Sequence, residues 1–213
     1  TPARKPGSAV SPDYPFIMNT GRVRDHWHTM TRTGKTARLS THMAEPFVEI
    51  HPEDALCQDL DVAGLARVAS LKGEAILRVL VTDRALVAPI ADPHSGQPEF
   101  KFTPVNLTRF VADWYGFGVF AAEPAMELLA ALDYWALARA PGGWRLELAG
   151  SGNMSEAVSA LIPDTDAVSL QMTQGGMARA LFDDERLMAT IKVSSQGPVI
   201  ADRAWLAGQL KAS

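Results

Sequence analysis

The sequence predicts a mixed chain in two parts, a strand-rich first domain and a smaller α+β second domain. Its 213 residues, 47% of them hydrophobic, can bury one large core or two modest ones. Short runs of alternating apolar residues between turn signals are typical of β-strands. From about Val111 the composition becomes more aromatic and aliphatic, and no histidine follows His94. We therefore expect a linker over residues 1–14 and domains over residues 15–110 and 111–213.

Charge and hydropathy limit the partners of this chain. The formal net charge of −4 lacks the basic excess that nucleic-acid binding requires. No apolar run approaches the roughly 20 residues that span a bilayer, and the opening residues have no apolar stretch like that of a secretory signal. We therefore expect a cytoplasmic protein without a nucleic-acid or membrane partner. Because the chain lacks an initiator methionine, we expect it to be part of something longer.

The single cysteine, Cys57, excludes a disulfide framework within the chain and a thiolate metal cluster of its own. It falls in a predicted helix over residues 52–60, which begins with proline and acidic residues. No histidine partner suggests a catalytic thiol there. We therefore expect Cys57 to be a half-buried helix residue.

A polar stretch follows the short predicted strand Phe16–Met18. Gly21, which has no Cβ, allows the backbone to turn tightly and to approach a ligand closely. After it comes a dense series of hydrogen-bond donors: Arg22, Arg24, His26, Trp27, His28, Thr29, Thr31, Arg32 and Thr33. Guanidinium groups suit phosphate oxygens or fused heterocycles. The stretch therefore indicates a surface for a large, anionic ligand, or else an irregular loop whose charges are solvated.

The rest of the first domain shows a regular order of elements. Residues 34–43 are polar and predict irregular or weakly helical structure. Lys72-Gly73 is a hairpin turn signal between two alternating segments. Asp92–Lys101 contains two prolines and a glycine, so it predicts a rigid turn. The expected strands span residues 46–50, 65–71, 74–81 and 102–107.

The second domain predicts a further set of strands and helices. Pro124 at a possible start and Pro141-Gly142-Gly143 at a possible end favour a helix over residues 124–140. Its apolar residues follow helical spacing approximately, which indicates a core face rather than a cofactor site. Strands are expected at residues 114–120, 144–149, 168–172, 177–182 and 187–193, and helices at residues 153–162 and 205–210. No catalytic constellation can be assembled from these residues.

Three motifs in this order resemble a known family. Thr20-Gly21-Arg22, Trp27–Gly34 and Pro46–Ala55 are similar to the dinucleotide-binding domain of molybdopterin oxidoreductases. The resemblance is greatest to bacterial assimilatory nitrate reductases, with periplasmic nitrate reductases and formate dehydrogenases as relatives. It implies a double-psi β-barrel over residues 15–110, followed by the α+β extension found in assimilatory nitrate reductases.

The resemblance also implies a cofactor and a reaction. In the family, molybdenum is held by bis(molybdopterin guanine dinucleotide), and nitrate is reduced by two electrons to nitrite. The cofactor-binding residues carried over by position are Thr20, Gly21, Arg22, Val23, His26, Trp27, His28, Thr29 and Lys101. No catalytic residue and no metal ligand is expected in this chain, and any iron–sulfur cluster would lie elsewhere in the full enzyme. The implied partners are the rest of the same enzyme chain, an electron donor and nitrate.

The resemblance leaves some questions open. After Asp83 the family has a further strand and an aromatic stretch that do not appear here. Either the protein has lost this segment, or a disordered loop between Asp83 and Leu86 is left out of the sequence. We favour the second interpretation, because loss of a barrel strand would expose a sheet edge. The same domain could belong to a formate dehydrogenase, or the chain could be a non-catalytic interaction module. We expect residues 111–213 to be separable and to hold a following electron-transfer module or the electron donor. The chain alone is expected to be inactive.

Overall fold

The computed structural model describes residues 9–21, 23, 25–26, 31–83, 103–164, 167–172, 175–199 and 201–210. The chain forms two compact units. The first comprises Thr1–Arg22 and Phe47–Val111, and the second comprises Val23–Pro46 and Ala112–Ser213. Residues 23–46 thus cluster with the later part of the chain, and the expected boundaries at 15–110 and 111–213 remain predictions.

The first unit contains a five-stranded sheet in the order β1-β5-β3-β4-β2. Its strands are β1 (Phe16–Met18), β2 (Phe47–Ile50), β3 (Leu65–Ser70), β4 (Gly73–Val81) and β5 (Thr103–Phe110). β2 pairs with β4 in parallel, and the other neighbours are antiparallel. The predicted hairpin is confirmed: Gly73 has a φ of +151°, which favours glycine at the turn between β3 and β4.

Helix α2 (Pro52–Cys57) of the first unit begins as the sequence predicts. Nδ1 of His51 accepts a hydrogen bond from the backbone N–H of Glu53 at 3.3 Å, and acidic residues occupy the first turn. Ala55 is the buried residue of this helix. The expectation for Cys57 is wrong, because its thiol lies on the outer side of α2 and is exposed.

The core of the first unit is apolar and lies against one face of the sheet. It consists of Ile50, Ala55, Leu60, Ala66, Val68, Val79, Val105 and Leu107, with Phe16, Met18, Val48, Leu77 and Val81 packed at its margin. β1 therefore ends with its apolar residues fixed against this core, and the polar stretch begins directly after them.

The second unit contains an antiparallel six-stranded sheet in the order β7-β8-β6-β11-β10-β9. Its strands are β6 (Trp114–Phe120), β7 (Tyr134–Ala140), β8 (Gly143–Gly150), β9 (Ala167–Met172), β10 (Gly176–Asp183) and β11 (Arg186–Ser194). Its helices are α1 (Ala37–Ser40), α3 (Met126–Leu129), α4 (Met154–Leu161) and α5 (Arg203–Gln209). Together with the sheet of the first unit, these elements confirm the predicted fold class, a mixed β-barrel domain with an α+β part.

The predicted helix over residues 124–140 is wrong. Only Met126–Leu129 is helical there, and Tyr134–Ala140 forms strand β7. The residues alternate in burial, with Tyr134, Ala136, Ala138 and Ala140 inside the unit. Pro141 and Gly142 make the turn into β8, and the φ of +86° at Gly142 suits glycine after proline in a tight turn. The Pro-Gly pair that suggested a helix end is therefore a hairpin turn.

Helices cover both faces of the second sheet. On one face, Val158 and Ile162 at α4 and Leu129 of α3 pack with Leu146 and Ile191. On the other face, Phe117 and Val119 of β6 pack with Val199, Ala207 and Leu210 at α5. Because side chains alternate along a strand, β6 supplies both cores. None of the helices in the described ranges is long and apolar enough to span a bilayer.

Candidate functional site

The polar stretch begins where β1 leaves the core of the first unit. Thr20 and Gly21 are exposed, whereas Phe16 and Met18 are packed against that core. A Cβ placed on Gly21 would meet no heavy atom within 4 Å. The surroundings that the structure describes therefore do not require glycine at this position, and the open side of the backbone admits a ligand at close range.

Asn19 is a candidate that the sequence analysis did not single out. Its Oδ1 atom is buried and has no hydrogen-bond partner within the described part of the chain. A buried acceptor left unpaired costs about 1–3 kcal/mol, so such atoms usually have a partner. An N–H group of a ligand bound beside Thr20 and Gly21 would satisfy it. The only signal in the sequence was an amide residue at the end of an apolar strand.

The polar stretch then continues in the second unit. The backbone N–H of His26 donates to the carbonyl of Val23 at 3.1 Å, which closes a turn. Nε2 of His26 donates to the carbonyl of Met43 at 3.1 Å, so Nδ1 is the ring nitrogen left to accept from a ligand. Asp25 Oδ2 lies 2.5 Å from Nδ1 of His42. These contacts tie residues 25–26 to residues 42–43.

Residues 31–46 are held within the second unit by further contacts. Thr33 is fully buried, and its carbonyl accepts a hydrogen bond from Oγ of Ser40 at 2.7 Å. Helix α1 packs against β7. The hydroxyl of Tyr134 donates to Oε2 of Glu45 at 2.6 Å. Residues 31–46, which follow the predicted ligand residues, are therefore anchored on strand β7 through both α1 and Glu45.

The structure thus locates the predicted site residues in two groups. Thr20 and Gly21 belong to the first unit, and Val23 and His26 belong to the second. The remaining predicted contacts, namely Arg22, Trp27, His28, Thr29 and Lys101, lie outside the described residues, as does the segment 84–102 where the family pattern is interrupted. Their roles remain predictions.

A charged cluster lies in the second unit and consists of the buried Glu147 and the half-buried Glu45, Arg145 and Arg203. Arg203 donates to both carboxylate oxygens of Glu147, from Nε to Oε1 at 2.5 Å and from Nη2 to Oε2 at 3.0 Å. The hydrogen bond with Glu147 raises the pKa of Arg203. Burial lowers the pKa of Arg145, against the opposing attraction of Glu147 and Glu45. This cluster could not be foreseen from the sequence, because Arg145 and Glu147 alternate with apolar residues as in any half-exposed strand.

Comparison with known proteins defines the class of this chain. Residues 16–85 match the family described as the molydopterin dinucleotide binding domain. This segment includes β1, Asn19, Thr20 and Gly21, where the open backbone and the unpaired amide oxygen lie. This match confirms the resemblance to the dinucleotide-binding domain of molybdopterin oxidoreductases that the sequence showed.

The relatives of this chain include nitrate reductases and a formate dehydrogenase. The chain is 39% identical over 160 residues to a nitrate reductase of Klebsiella oxytoca, covering 64% of this chain and 18% of the relative. It is 40% identical over 140 residues to a nitrate reductase of Shewanella frigidimarina, covering 46% and 15%. It is 39% identical over 71 residues to the alpha subunit of an F420-dependent formate dehydrogenase of Methanocaldococcus jannaschii, covering 33% and 10%. The matched part spans less than a fifth of each relative.

Proposed function

We propose that this chain is the cofactor-closing part of a molybdenum-dependent nitrate reductase and binds bis(molybdopterin guanine dinucleotide). The observation that carries the proposal is the extent of the match to the Klebsiella oxytoca nitrate reductase. That match covers 64% of this chain and so extends well beyond residues 16–85. The matches to formate dehydrogenases cover 33% and 49% of the chain, the longer one at 28% identity. The match to the Klebsiella oxytoca nitrate reductase therefore covers more of this chain than either formate dehydrogenase match, although the other nitrate reductase matches cover only 40% and 46% of it.

The donors and acceptors at the polar stretch suit this cofactor. Oδ1 of Asn19 would accept from a ring N–H, and the backbone at Gly21 would allow a ring or phosphate to approach closely. Arg22 would add a charge-assisted contact to phosphate oxygens. The remaining contacts, carried over from the resemblance by position, would come from Val23, His26, Trp27, His28, Thr29 and Lys101. When bound, the cofactor would supply the two-electron chemistry that converts nitrate to nitrite.

The chain's own role is then to hold and orient, without a catalytic residue of its own. Metal ligation, any iron–sulfur cluster and the contact with the electron donor belong to the rest of the enzyme in this proposal. Nitrate assimilation in the cytoplasm is part of the same proposal. We accordingly expect the purified 213-residue chain to form no nitrite from nitrate when given dithionite and free cofactor, and measurable nitrite would contradict this.

Replacement of Arg22 in the intact enzyme tests the cofactor contact. A charge-assisted hydrogen bond contributes about 1.5–3 kcal/mol, which corresponds to roughly ten- to hundredfold weaker binding. Arg22→Ala should therefore lower the molybdenum content of the purified enzyme while its circular dichroism stays unchanged. Arg109→Ala, which removes an exposed arginine of the first unit, is the matched control. Full molybdenum occupancy and full activity in Arg22→Ala would overturn the assignment.

Formate dehydrogenase is the second candidate function, because a formate dehydrogenase shares 39% identity over 71 residues of this chain. The two candidates are separated by supplying the intact enzyme with reduced viologen and nitrate, or with oxidised viologen and formate. Nitrite formation without formate oxidation supports nitrate reductase, and the reverse result supports formate dehydrogenase.

A further inference from the structure

One face of the second sheet is shaped to receive residues 31–46. Along β7, the residues on this face are Ala136, Ala138 and Ala140, which are buried although their side chains are small. Helix α1 packs against this strand. Small side chains allow a neighbouring backbone to approach closely, so Ala136 and Ala138 leave room beside β7, whereas Ala140 packs with Val199, Ala207 and Leu210.

The same face carries the charged cluster. In the sheet register, Arg145 pairs with Ala138, and Glu147 pairs with Ala136. Directly opposed residues of neighbouring strands point to the same side of a sheet. Arg145 and Glu147 therefore project on the side where the alanines leave space. Glu147 is held there by Arg203 at the start of α5.

Glu45 links the segment to this cluster. Its carboxylate accepts the hydrogen bond from Tyr134, whose side chain lies at the beginning of β7. Its negative charge also attracts the guanidinium groups of Arg145 and Arg203, although burial lowers the pKa of Arg145 and the hydrogen bond with Glu147 is the main cause of the raised pKa of Arg203. Tyr134 is 3% exposed, so the hydrogen bond to Glu45 is largely shielded from water. The segment is thus fixed at its end by a charge-assisted contact, and not by apolar packing alone.

We propose that the second unit positions the polar stretch that follows β1, where the predicted ligand residues lie, with Tyr134 and Glu45 as the positioning residues. The contacts from His26 to Met43 and from Asp25 to His42 connect residues 42–45 to residues 25–26 of the stretch. The inference rests on the proposed function, because the ligand positioned would be the molybdopterin dinucleotide. It assigns to residues 112–213 a role in cofactor retention, beyond any role in electron delivery.

Tyr134→Phe in the intact enzyme tests the proposal, with Tyr115→Phe as a matched control. Tyr115 lies in the same unit, and its hydroxyl accepts a hydrogen bond from the N–H of Ala112 at 3.1 Å. Both variants lose one hydroxyl and one described hydrogen bond. Two quantities are measured: hydrogen exchange of the amides in residues 31–46, and the rate at which molybdenum is lost to a chelator.

We expect Tyr134→Phe to raise amide exchange in residues 31–46 and molybdenum loss by about tenfold each, and Tyr115→Phe to leave both near wild type. Equal behaviour of the two variants would overturn the proposal. Faster exchange without faster molybdenum loss would also overturn it, because Tyr134 would then be structural only. If the wild-type enzyme holds no molybdopterin, the proposed function fails, while the exchange experiment still reports separately on the anchor.

Substitution of Glu45 gives a second, independent test. Glu45→Gln keeps an oxygen that accepts from Tyr134, whereas Glu45→Leu removes it. We expect the glutamine variant to retain most of its molybdenum and the leucine variant to lose it at the rate of Tyr134→Phe. Retention in both variants would overturn the role of this contact. Loss of nitrate reduction should be equal with dithionite and with the physiological donor, since cofactor occupancy limits both.

Discussion

The two units of this chain place their charges in different environments. In the first unit, Arg109 pairs with Asp59 and Asp61 at 3.1 and 2.6 Å, and the side chains of these aspartates are 85% and 62% exposed. Arg67 pairs with Glu74 on the surface in the same way. The core beneath consists of aliphatic and aromatic side chains.

In the second unit, charged groups lie within the packed structure. The side chain of Glu147 is 3% exposed and that of its partner Arg203 is 33% exposed. The side chain of Arg179 on β10 is 5% exposed, and it donates hydrogen bonds to Ser169 on β9 and to the carbonyl of Ile162 at the end of α4. Each of these groups has lost most of its hydration, and the lost hydration must be replaced by well-placed partners.

The comparison shows that similar ion pairs have different consequences for the fold. A surface pair contributes about 0–1 kcal/mol, whereas breaking a buried pair by removing one partner costs about 3–5 kcal/mol. The buried pairs of the second unit also connect distant segments, since Glu147 lies on β8 and Arg203 opens α5. In the second unit, buried charge therefore adds to the apolar packing that holds the elements together, whereas the described ion pairs of the first unit lie on its surface.

Tryptophan fluorescence makes the comparison measurable. All 5 tryptophans of the chain belong to the segments of the second unit, at positions 27, 114, 135, 144 and 205. Fluorescence during unfolding therefore reports on the second unit, while circular dichroism reports on both. The effects predicted below differ in size and in the probe that detects them.

The largest effect is expected from Arg203→Leu. The substitution leaves the carboxylate of Glu147 buried without its bidentate partner, and removes the stacking of the guanidinium over Phe117 at 5.0 Å. We expect a loss of about 3 kcal/mol in the free energy of unfolding, at the lower end of the range because Arg203 is partly exposed. Urea unfolding followed by tryptophan fluorescence checks this value.

The double variant Glu147→Leu/Arg203→Leu is the control for this prediction. Apolar replacement of both partners is often neutral, so the double variant should be more stable than Arg203→Leu alone. The raised pKa of Arg203 means that its charge, and the stability gained from it, is present at all pH values below its usual pKa and is lost only far above neutrality. The cost of Arg203→Leu should thus be equal at neutral and mildly alkaline pH.

A smaller effect is expected from Arg179→Lys. Arg179 donates to Ser169, Ser159 and the carbonyl of Ile162 at 2.9–3.0 Å, and lies 2.7 Å from Asp164. Lysine keeps the charge but cannot reproduce the planar set of donors, so we expect a loss of about 2 kcal/mol. Arg186→Lys, at an exposed position on β11, should change stability by less than about 0.5 kcal/mol. A similar loss in both variants would argue against a special role for the buried guanidinium.

Most elements could be predicted from the sequence because their signals are local. The strand before Asn19, the hairpin at Lys72-Gly73 and the helix after Asn153 depend on alternation, turn residues and capping, which a single sequence displays. The prediction of a helix over residues 124–140 was wrong because alanine, leucine and tryptophan are compatible with the spacing of a helix and with the alternation of a strand. Its outcome was decided by pairing with β8, which is a tertiary contact.

The candidate site could be predicted only in part. The motifs from Thr20 onward resemble a known family, and this resemblance implied the cofactor class, whereas the residue types alone indicated either a large anionic ligand or a solvated loop. Neither the unpaired Oδ1 of Asn19 nor the contact between Glu45 and Tyr134 could be foreseen. Both depend on which groups the fold buries, and Glu45 lies far from Tyr134 in the sequence. The clustering of residues 23–46 with the later part of the chain could not be foreseen either, because it too depends on contacts between segments that are distant in the sequence.

The smallest effect is expected from Arg109→Ala in the first unit. The pairs with Asp59 and Asp61 join β5 to the turn after α2, but all of these side chains remain largely in water. Because solvent and salt screen such pairs, we expect a loss of at most about 1 kcal/mol that decreases further in high salt. Thermal unfolding followed by circular dichroism should show this shift, while the fluorescence transition of the second unit stays unchanged. A loss as large as that of Arg203→Leu would remove the distinction between the two units, because exposed charges would then stabilise the first unit as strongly as buried charges stabilise the second.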